Sequence, residues 1–382
     1  MMNFNNQSLR PTWVEFDLSA VRYNIRQLKT LLGPQTSIYV CLKGDGNGVG
    51  AIAVAVCAQK EGVAGFTFGN IDSALQCREA GIVAPILLYT SCLPETAAIL
   101  ARYDIMPTIS TLDDVVQWDR STEAPLSVFL KIDGGGWRAG AFPENAAEVA
   151  FAISQSEHLT LAGVYGHPMS NYDFCHDDKY TLQQIQAIRL ACDMIEKRGI
   201  NIGTTIISSS SIILEYPSAD MNAVDPGRLI VGMPFNAILE RSINWRPALV
   251  GLKSKLVMVK STDNIENTPS PPFWGETIPT KLGLVPFGWS DGYPRSIPKD
   301  KNITVLIRGK RAKLLPPCHS EMLRIDLSDI HDAQIGDEVV FLGYSGDECI
   351  TLKELANQWD MSIQDVYYAI SKNIHRVYND EY

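Results

Sequence analysis

Short apolar runs alternate with amphipathic stretches over the first two thirds of the chain. The amphipathic stretches, in which apolar positions recur at helical spacing, are Ile71–Ala80, Pro94–Tyr103, Thr111–Asp119, Asn145–Gln155 and Asp177–Lys197. The apolar runs begin near Ser37, Gly65, Pro85, Met106, Leu126, Leu159, Thr204 and Asn222. Strands that alternate with helices indicate βα units around a parallel sheet. Eight such units in about 200 residues predict an α/β fold, a (β/α)8 barrel.

The pattern changes near Arg246, where alternation of apolar and polar positions replaces the helical period. Alternation is typical of strands with one buried face. The alternating runs are Ser254–Lys260, Leu282–Phe287, Ile303–Arg308 and Glu338–Leu342, and two helical stretches follow, Leu352–Trp359 and Ile363–Ser371. The sequence therefore predicts a barrel over residues 11–240 and a β-rich C-terminal domain over residues 241–382, on which residues 1–10 pack.

The composition and charge restrict the class of protein. Hydrophobic residues make up 46% of the chain and charged residues 20%, which is typical of soluble globular proteins. A net charge of −10 disfavours non-specific nucleic-acid binding, which needs a basic surface. No apolar run reaches the roughly 20 residues of a membrane helix, and residues 1–10 lack the apolar core of a signal peptide. We therefore expect a cytoplasmic protein that binds neither nucleic acid nor membrane.

The eight cysteines are scattered along the chain. They form no CxxC pair, and no His/Cys spacing suits zinc. Because no secretion signal is evident, we expect reduced thiols and no metal site.

The first candidate functional residue is Lys43, which follows the apolar run Ile38–Leu42 and precedes glycines at positions 44, 46, 48 and 50. In a barrel the carboxyl ends of the strands share one rim, where the catalytic groups lie. An amine held at a strand end beside an open loop suits a Schiff base with an aldehyde cofactor. The alternative interpretation is an ordinary solvated lysine.

The ends of the later strands add polar residues to the same rim. They are Lys131, Asp133 and Arg138 after the fifth strand, His167 after the sixth, Ser208–Ser211 after the seventh, and Asp225, Gly227 and Arg228 after the eighth. The loops after strands seven and eight are the usual phosphate site of such barrels. Hydroxyls such as those of Ser209 and Ser210, with the N–H of Gly227, can donate to phosphate oxygens, and an arginine can add charge. The alternatives are a polar turn and an ordinary salt bridge.

Five segments resemble those of alanine racemases and occur in the same order. They are Thr12–Val21, Lys43 with its glycine-rich loop, Lys131–Gly140, Gly288–Arg295 and Gly336–Val340. The similarity extends from Trp13 to about Tyr378. By this resemblance the chain is identified as a member of the alanine racemase family, which belongs to the fold-type III pyridoxal-phosphate enzymes.

The resemblance implies a pyridoxal 5'-phosphate cofactor and roles for individual residues. Lys43 would carry the cofactor as a Schiff base and act as one proton-transfer base. Arg138 would contact the cofactor's phenolic oxygen and the substrate carboxylate. Lys131 matches a lysine that is often carbamylated and steadies that arginine, with a plain lysine as the alternative. His167 would pack near the pyridine ring, with a structural histidine as the alternative.

The resemblance also implies how the cofactor phosphate is bound and how the chains associate. Ser210 and Gly227 would bind the phosphate. The family forms head-to-tail homodimers with shared active sites, so residues of the β-rich domain would complete the partner's site. The substrate would be a small molecule, an amino acid.

Three aromatic positions depart from the alanine racemase pattern. The family's second catalytic base is a tyrosine in a Tyr-Gly-x-Thr motif, and the matching segment here begins with Trp274. An indole has only a donor N–H and cannot act as a base near neutral pH. Trp289 replaces a second tyrosine, and Asn47 stands where the family has a phosphate-binding tyrosine. The substrate pocket is therefore expected to differ.

The family's Cys/Ser-Met-Asp segment is also altered, to Cys318-His319-Ser320-Glu321. With Trp274 unable to act as a base, the second base would have to come from His319, Cys318 or a water molecule. We expect Ser320, together with Trp274 and Trp289, to contact the substrate.

The largest departure is Asp225, because alanine racemases have an arginine there beside the pyridine nitrogen. A carboxylate stabilises a protonated pyridine through a charge-assisted hydrogen bond. A protonated ring is a stronger electron sink. The segment Asp225–Arg228 resembles the Glu-Pro-Gly-Arg motif of ornithine and diaminopimelate decarboxylases, and Pro316–Cys318 faintly resembles their Gly-Pro-x-Cys motif.

Three functions remain open from the sequence. The first is an amino-acid racemase or epimerase whose substrate need not be alanine. The second is a decarboxylase or other carbanion chemistry, such as that of a lyase or transaminase, on the same scaffold. The third is a non-catalytic cofactor-binding homologue. We favour the racemase because the overall pattern is that of a racemase.

Overall fold

The structure, a computed structural model, describes residues 9–170, 178–234, 240–263, 265, 267–269, 271, 274, 278–296, 301–370 and 372–380. Its contacts divide the chain into two compact units. The barrel unit contains Ala20–Arg246, and the β-rich unit contains the described residues before Ala20 and after Arg246. Helices and strands are numbered in chain order, beginning with β1 (Thr12–Asp17) and α1 (Leu18–Leu32).

The barrel unit is built around a sheet of parallel strands. The strands are β2 (Ser37–Cys41), β3 (Gly65–Phe68), β4 (Ile86–Leu88), β5 (Ile105–Met106), β6 (Thr108–Ile109), β7 (Leu126–Ile132), β8 (Leu159–Gly166), β9 (Thr204–Ser208) and β10 (Ala223–Val224). They pair in the order β5-β4-β3-β2-β10-β9-β8-β7-β6. Each predicted strand start lies within one residue of an observed one, and the predicted (β/α)8 fold class is confirmed.

Pro107 divides the fourth strand position into two short strands. β5 pairs with β4 on one side, and β6 pairs with β7 on the other. A proline has no backbone N–H and so interrupts a ladder of hydrogen bonds. Its carbonyl oxygen still accepts a hydrogen bond of 2.9 Å from the N–H of Phe129. β5 and β6 are the two ends of the strand order, and Pro107 is the one residue between them. The barrel is therefore nearly closed at this position.

Side chains fill the barrel interior. One buried cluster takes a residue from each of seven strands: Tyr39, Leu87, Met106, Phe129, Tyr165, Ile206 and Ala223. A Cβ on Gly163 would lie 2.2 Å from Cε1 of Phe129, so glycine in β8 makes room for this ring. The interior is a packed core, which leaves the strand ends as the place for chemistry.

Helices follow most of the barrel strands. They are α2 (Lys43–Asn47), α3 (Ala51–Lys60), α4 (Ile71–Glu79), α5 (Ala97–Arg102), α6 (Leu112–Arg120), α7 (Pro143–Gln155), α8 (Asp178–Lys197) and α9 (Ser210–Glu215). Local signals set their ends; at α6, for example, Thr111 and Asp114 form a reciprocal capping box. Among the described helices, none combines the length and the apolar composition that a membrane span requires. The described part of the chain also contains no cluster of three or more His, Cys, Asp or Glu suited to a metal ion.

The β-rich unit contains one mainly antiparallel sheet and two helices. Its further elements are β11 (Leu249–Lys255), β12 (Met258–Ser261), β13 (Lys281–Val285), β14 (Thr304–Ile307), β15 (Lys310–Leu315), β16 (Leu323–Asp326), β17 (Glu338–Ser345), β18 (Glu348–Ile350), α10 (Leu352–Trp359), α11 (Ile363–Ala369) and β19 (His375–Asn379). The strand order is β12-β13-β16-β15-β14-β17-β11-β1-β19, and β18 pairs with β17. Only the β1–β19 pair among these described strands is parallel.

The structure differs from the sequence prediction at β1. The prediction assigned residues 11–240 to the barrel, whereas Thr12–Asp17 pairs antiparallel with Leu249–Lys255 in the β-rich unit. Alternate residues of β1 are buried, as expected for a strand with one covered face rather than for a fully buried barrel strand. Arg10, near the start of the described residues, donates to both carboxylate oxygens of Asp291 in the same unit, at 2.7 and 2.6 Å.

Other differences concern strand boundaries in the β-rich unit. The single strand predicted at Ser254–Lys260 is two strands, because β11 ends at Lys255 and β12 begins at Met258. Besides β1, four strands of this unit, β15, β16, β18 and β19, were not predicted. Their sequences are short or rich in charged residues, so the alternation is weak. Residues 1–8, Asp177 and Ser371, which belong to predicted segments, lie outside the described residues.

Candidate active site

Lys43 is followed by a turn of left-handed backbone. Gly44, Asp45, Gly46 and Asn47 have positive φ angles of 61°, 59°, 63° and 54°. Left-handed backbone costs roughly 1–2 kcal/mol for most L-residues, whereas glycine adopts it freely and Asn and Asp tolerate it best among the others. The turn after Lys43 therefore contains only residue types that accept this conformation.

Two side chains hold this turn in place. Asp45 Oδ1 accepts a hydrogen bond of 2.9 Å from the N–H of Ala51 at the start of α3. Asn47 Nδ2 donates to the carbonyl oxygen of Cys41 at 3.3 Å. The backbone at Lys43 is thereby fixed at the end of β2, while its side chain is exposed at the barrel rim.

Asp225 is a buried carboxylate that directly follows β10, and only 4% of it is exposed. Its Oδ2 accepts a hydrogen bond of 2.5 Å from Tyr89 Oη. Its Oδ1 is buried and has no hydrogen-bond partner among the residues that the structure describes. Burial raises the pKa of Asp225 to about 6, against the lowering effects of the Tyr89 hydrogen bond and the Lys43 charge. An unpaired buried oxygen costs about 1–3 kcal/mol, so this carboxylate suits a further donor.

Tyr89 is a site residue that the sequence analysis missed. Its Oη lies 2.7 Å from Thr67 Oγ1 and 3.8 Å from Cys41 Sγ, in addition to its hydrogen bond to Asp225. The signal that was available is positional. Tyr89 directly follows the third apolar run, as Lys43 follows the first.

Three cations act on His167. Burial has the largest effect on this imidazole, and the charges of Lys43, Arg138 and Lys131 add to it, so that its pKa is lowered to about 3. His167 is therefore neutral near pH 7. The pKa of Lys131 is itself lowered, by burial and then by the charge of Arg138. Lys131 Nζ lies 5.4 Å from the centroid of the Tyr165 ring.

Asp133 organises the loop that carries Arg138. Its Oδ1 accepts hydrogen bonds from the N–H groups of Gly135 and Trp137, both at 3.1 Å. Its Oδ2 accepts one from the N–H of Arg138 at 2.7 Å. The backbone of Arg138 is therefore fixed by a buried carboxylate, and its exposed side chain extends from a defined position.

The predicted phosphate-binding residues lie together at the next strand ends. Ser210 Oγ accepts a hydrogen bond of 2.9 Å from the N–H of Gly227. Ser209 precedes α9, and its side chain does not cap that helix. A Cβ on Gly227 would lie 3.0 Å from Asn47 Nδ2 and 3.3 Å from the carbonyl oxygen of Cys41. Glycine therefore fits here without displacing its neighbours.

Arg228 contacts the backbone of its own loop. Its Nη2 donates to the carbonyl oxygen of Pro234 at 2.8 Å. The rim as a whole combines an exposed amine, a neutral imidazole, a cationic guanidinium and a buried carboxylate. Such a set can hold an anionic ring-shaped ligand and move a proton.

The remaining predicted residues lie in the β-rich unit around one groove. This tryptophan groove has a volume of about 1190 Å³, and its lining includes Trp274, Trp289, Arg295, Lys313 and Cys318. Trp274 Nε1 donates to the carbonyl oxygen of Pro316 at 2.7 Å. The Arg295 guanidinium lies 5.3 Å from the centroid of the Trp289 ring. The other residues of the Trp274–Thr277 motif lie outside the described residues.

Cys318, His319 and Ser320 follow one another beside this groove. Cys318 Sγ donates to the carbonyl oxygen of Arg295 at 3.3 Å, and burial raises the pKa of this thiol. The carbonyl oxygen of His319 accepts a hydrogen bond of 3.1 Å from the N–H of Trp289. The side chains of His319 and Ser320 are exposed. The structure therefore brings these residues and Trp289 together within the β-rich unit.

Two family models match the chain. One, described as the N-terminal domain of alanine racemase, matches residues 16–234, and the other, described as the C-terminal domain of alanine racemase, matches residues 249–378. The chain belongs to the alanine racemase family. The family indicated by the sequence motifs is thereby confirmed.

Individual relatives of the family agree over the full length. The alanine racemase of Desulfovibrio desulfuricans is 30% identical over 97% of this chain and 98% of its own. The solved alanine racemase of Clostridium difficile superposes with a TM-score of 0.85 at 25% identity, covering 98% of this chain and 97% of that one. The histidine racemase of Leuconostoc mesenteroides shares the fold, with a TM-score of 0.84 at 22% identity. The match covers 98% of this chain and 100% of that one. These relatives are racemases.

Proposed function

We propose that this protein is a pyridoxal-phosphate-dependent amino-acid racemase or epimerase. The observation that carries the proposal is Asp225 Oδ1, which is buried without a hydrogen-bond partner in the described part of the chain, at the rim that also holds the amine of Lys43. A carboxylate there suits the protonated ring nitrogen of the cofactor. An amine suits its aldehyde. The membership of a racemase family supports both assignments.

Residues of the barrel unit would hold the cofactor. Lys43 binds its aldehyde, Asp225 binds its ring nitrogen, and Ser210 with the N–H of Gly227 binds its phosphate. The hydrogen bond of 2.9 Å from the N–H of Gly227 to Ser210 Oγ, which holds the two groups side by side, supports the phosphate assignment. Pyridoxal phosphate, when bound, supplies an electron sink for negative charge at the substrate Cα.

The exposed cations of the rim would act on the substrate. Arg138 binds the substrate carboxylate through paired N–H donors, and Lys43 takes and returns the proton at Cα. His167 packs beside the ring as a neutral imidazole and so adds no charge. We also propose that Lys131 is carbamylated. Its lowered pKa supports this, because only the neutral amine reacts with carbon dioxide.

A racemase needs a second proton carrier besides Lys43. The Nε1–H of Trp274 is a donor only and is engaged with Pro316, so the indole cannot serve. Cys318 is the better candidate, because its thiol is partly buried and holds its proton, and His319 is the next. We propose that these residues serve the site of a second copy in a homodimer with shared active sites, as in the predicted family assembly.

The substrate is an amino acid, and the fold does not restrict it to alanine. A protein named histidine racemase has the same fold. Trp274 and Trp289 stand where alanine racemases have tyrosines, which changes the shape and polarity of the tryptophan groove. We therefore propose a substrate other than alanine.

Asp225 also supports a second candidate function. A carboxylate that keeps the ring nitrogen protonated stabilises negative charge at Cα more strongly than an arginine does. That favours decarboxylation or other carbanion chemistry, such as that of a lyase or transaminase. The two candidates share Lys43, Asp225 and the phosphate site and differ in the product.

Proton NMR in D2O with a panel of L- and D-amino acids tests the proposal. Loss of the Cα–H signal with an intact carbon skeleton, together with the mirror-image amino acid on chiral chromatography, is the expected result. An amine, keto acid or aldehyde product would favour the second candidate. Cofactor binding without turnover of any amino acid would overturn both and favour the non-catalytic homologue. The Lys43→Ala protein is the control and should show no exchange.

A further inference from the structure

The contact between Tyr89 and Asp225 joins two strand ends of the barrel unit. Tyr89 Oη donates a hydrogen bond of 2.5 Å to Asp225 Oδ2. The same hydroxyl oxygen lies 2.7 Å from Thr67 Oγ1. A phenol has one proton, and a carboxylate can only accept, so the proton of Tyr89 lies toward Asp225 and Thr67 donates to the Tyr89 oxygen. Thr67, Tyr89 and Asp225 therefore form a directed chain of hydrogen bonds.

The surroundings keep the Tyr89 proton in place. Burial and the neighbouring Asp225 charge raise the pKa of Tyr89 well above its ordinary range. The phenol therefore keeps its proton near neutral pH and acts as a donor there. Burial opposes ionisation of Asp225, and the Tyr89 hydrogen bond is the largest effect in the opposite direction, followed by the Lys43 charge. Ionised Asp225 thus depends on this one contact more than on any nearby charge.

The hydrogen bond also decides which carboxylate oxygen is available. Oδ2 is bound by Tyr89, whereas Oδ1 is buried and has no partner among the residues that the structure describes. Without the phenol, both oxygens would be buried without a side-chain donor. A carboxyl in that position takes up a proton instead of remaining charged.

We propose that Tyr89 is a positioning residue that keeps Asp225 a carboxylate, with Oδ1 as its free acceptor for the ring nitrogen of the cofactor. The inference rests on the proposed function, because the cofactor supplies that nitrogen. Tyr89 itself touches neither substrate nor cofactor in this role. It acts through Asp225 on the protonation state of the ring.

The groups that act on this carboxylate are the hydroxyl of Tyr89 and the amines of Lys43 and Lys131. The thiol of Cys41 and the hydroxyl of Thr67 contact Tyr89 instead. Tyr165 provides a matched control, because it is a buried tyrosine whose ring centroid lies 5.5 Å from that of Tyr89. Its hydroxyl contacts Thr108 Oγ1 at 2.9 Å instead of Asp225. Tyr165→Phe therefore removes a comparable hydroxyl from the same core.

The test follows Asp225 in the full-length protein without cofactor, by infrared spectroscopy with 13C-labelled aspartate. The band that Asp225→Asn removes reports its titration. Tyr89→Phe should raise the midpoint by about one pH unit or more, the equivalent of one hydrogen bond. Tyr165→Phe should leave it near the wild-type value. An unchanged midpoint in Tyr89→Phe, or an equal rise in Tyr165→Phe, would overturn the inference.

The second readout uses the cofactor-loaded protein and 15N-labelled pyridoxal phosphate. We expect a protonated ring nitrogen in the wild type and loss of that proton at neutral pH in Tyr89→Phe. If the wild type binds no cofactor through Lys43, the proposed function fails, and the infrared titration still decides the Tyr89 contact. If the cofactor binds and the 15N signal is the same in both proteins, the inference fails alone. Should Tyr89→Phe not fold, Thr67→Val removes the donor behind Tyr89 and should shift both readouts in the same direction; no shift overturns the inference.

Discussion

Trp274 donates its indole N–H to the carbonyl oxygen of Pro316, at 2.7 Å. The guanidinium of Arg324 lies 5.2 Å from the centroid of the same indole ring. The sequence resemblance places the second base of an alanine racemase at this position. In this protein the side chain is a hydrogen-bond donor within its own unit.

Trp274→Phe tests that interpretation. We expect the rate of Cα–H exchange to stay within about threefold of the wild type, because an indole is a donor only and cannot accept the substrate proton. The free energy of unfolding should fall by about 1 kcal/mol through loss of the hydrogen bond to Pro316. NMR exchange and urea unfolding measure the two effects. A loss of exchange on the order of a hundredfold, with the fold intact, would show that Trp274 takes part in proton transfer.

Gly227→Ala tests the phosphate site. The added Cβ would lie 3.0 Å from Asn47 Nδ2 and 3.3 Å from the carbonyl oxygen of Cys41, so the loop must move. We expect the affinity for pyridoxal phosphate to fall about tenfold or more, which corresponds to ~1.4 kcal/mol. Fluorescence titration measures it.

The double variant Gly227→Ala/Asn47→Gly is the control. Removal of the Asn47 side chain opens space for the new methyl group, and glycine accepts the positive φ angle of 54° at that position. Because Asn47 also holds the turn after Lys43, the Asn47→Gly protein is the baseline. Relative to that baseline, the added Gly227→Ala change should cost less affinity than it does in the wild type. If the Gly227→Ala protein bound pyridoxal phosphate as tightly as the wild type, the phosphate would not lie against the backbone of Gly227.

We expect a carbamate at Lys131, because the segment Lys131–Gly140 resembles the family's and burial lowers the pKa of this amine, which favours the reaction with carbon dioxide. Incubation with 13C-labelled bicarbonate should give a carbamate carbonyl resonance in the wild type and none in Lys131→Ala. The resonance should disappear on acidification, because a carbamate loses carbon dioxide when it is protonated. Equal spectra for the two proteins would identify Lys131 as a plain lysine.

The barrel could be predicted from the sequence because most of its strands are short, largely apolar and largely buried runs. Such runs are locally visible, and Leu126–Ile132 and Leu159–Gly166 begin where they were predicted. The place of β1 could not be predicted in this way. The sequence of Thr12–Asp17 is compatible with a strand of the barrel or of the β-rich unit. The partner that decides between them, Leu249–Lys255, lies more than two hundred residues later in the chain. Pairing over that distance leaves no mark on the local pattern.

The site was only partly predictable for a similar reason. Lys43 is marked by its glycines, because the left-handed turn behind it restricts the residue types. Asp225 is marked by the Pro-Gly-Arg sequence that follows it. Tyr89 has no such mark, because a tyrosine at a strand end is usually a packing residue. Its proposed role depends on the distance from Tyr89 Oη, after β4, to Asp225 Oδ2, after β10, and only the structure gives this distance.

Asp225→Asn should change how stability depends on pH. The pKa of Asp225 is about 6 in the folded protein, above its ordinary value of 3.8, so the folded state holds this proton more tightly than the unfolded state. The contribution to stability is therefore fully present below about pH 4 and lost as the pH rises through about 6. One pKa unit corresponds to about 1.4 kcal/mol, so the loss is roughly 3 kcal/mol.

Urea unfolding of the cofactor-free wild type and Asp225→Asn proteins at about pH 4 and about pH 7.5 measures this loss. Other carboxyl groups titrate equally in both proteins, so the difference between them isolates Asp225. We expect the stability of the wild type, relative to the variant, to be lower at the higher pH by the predicted amount. A pH-independent difference would mean that Asp225 is ionised at its ordinary pKa. The carboxylate would then be better solvated than its burial and its unpartnered oxygen indicate. That result would contradict the proposal that Asp225 accepts a hydrogen bond from the ring nitrogen of the cofactor.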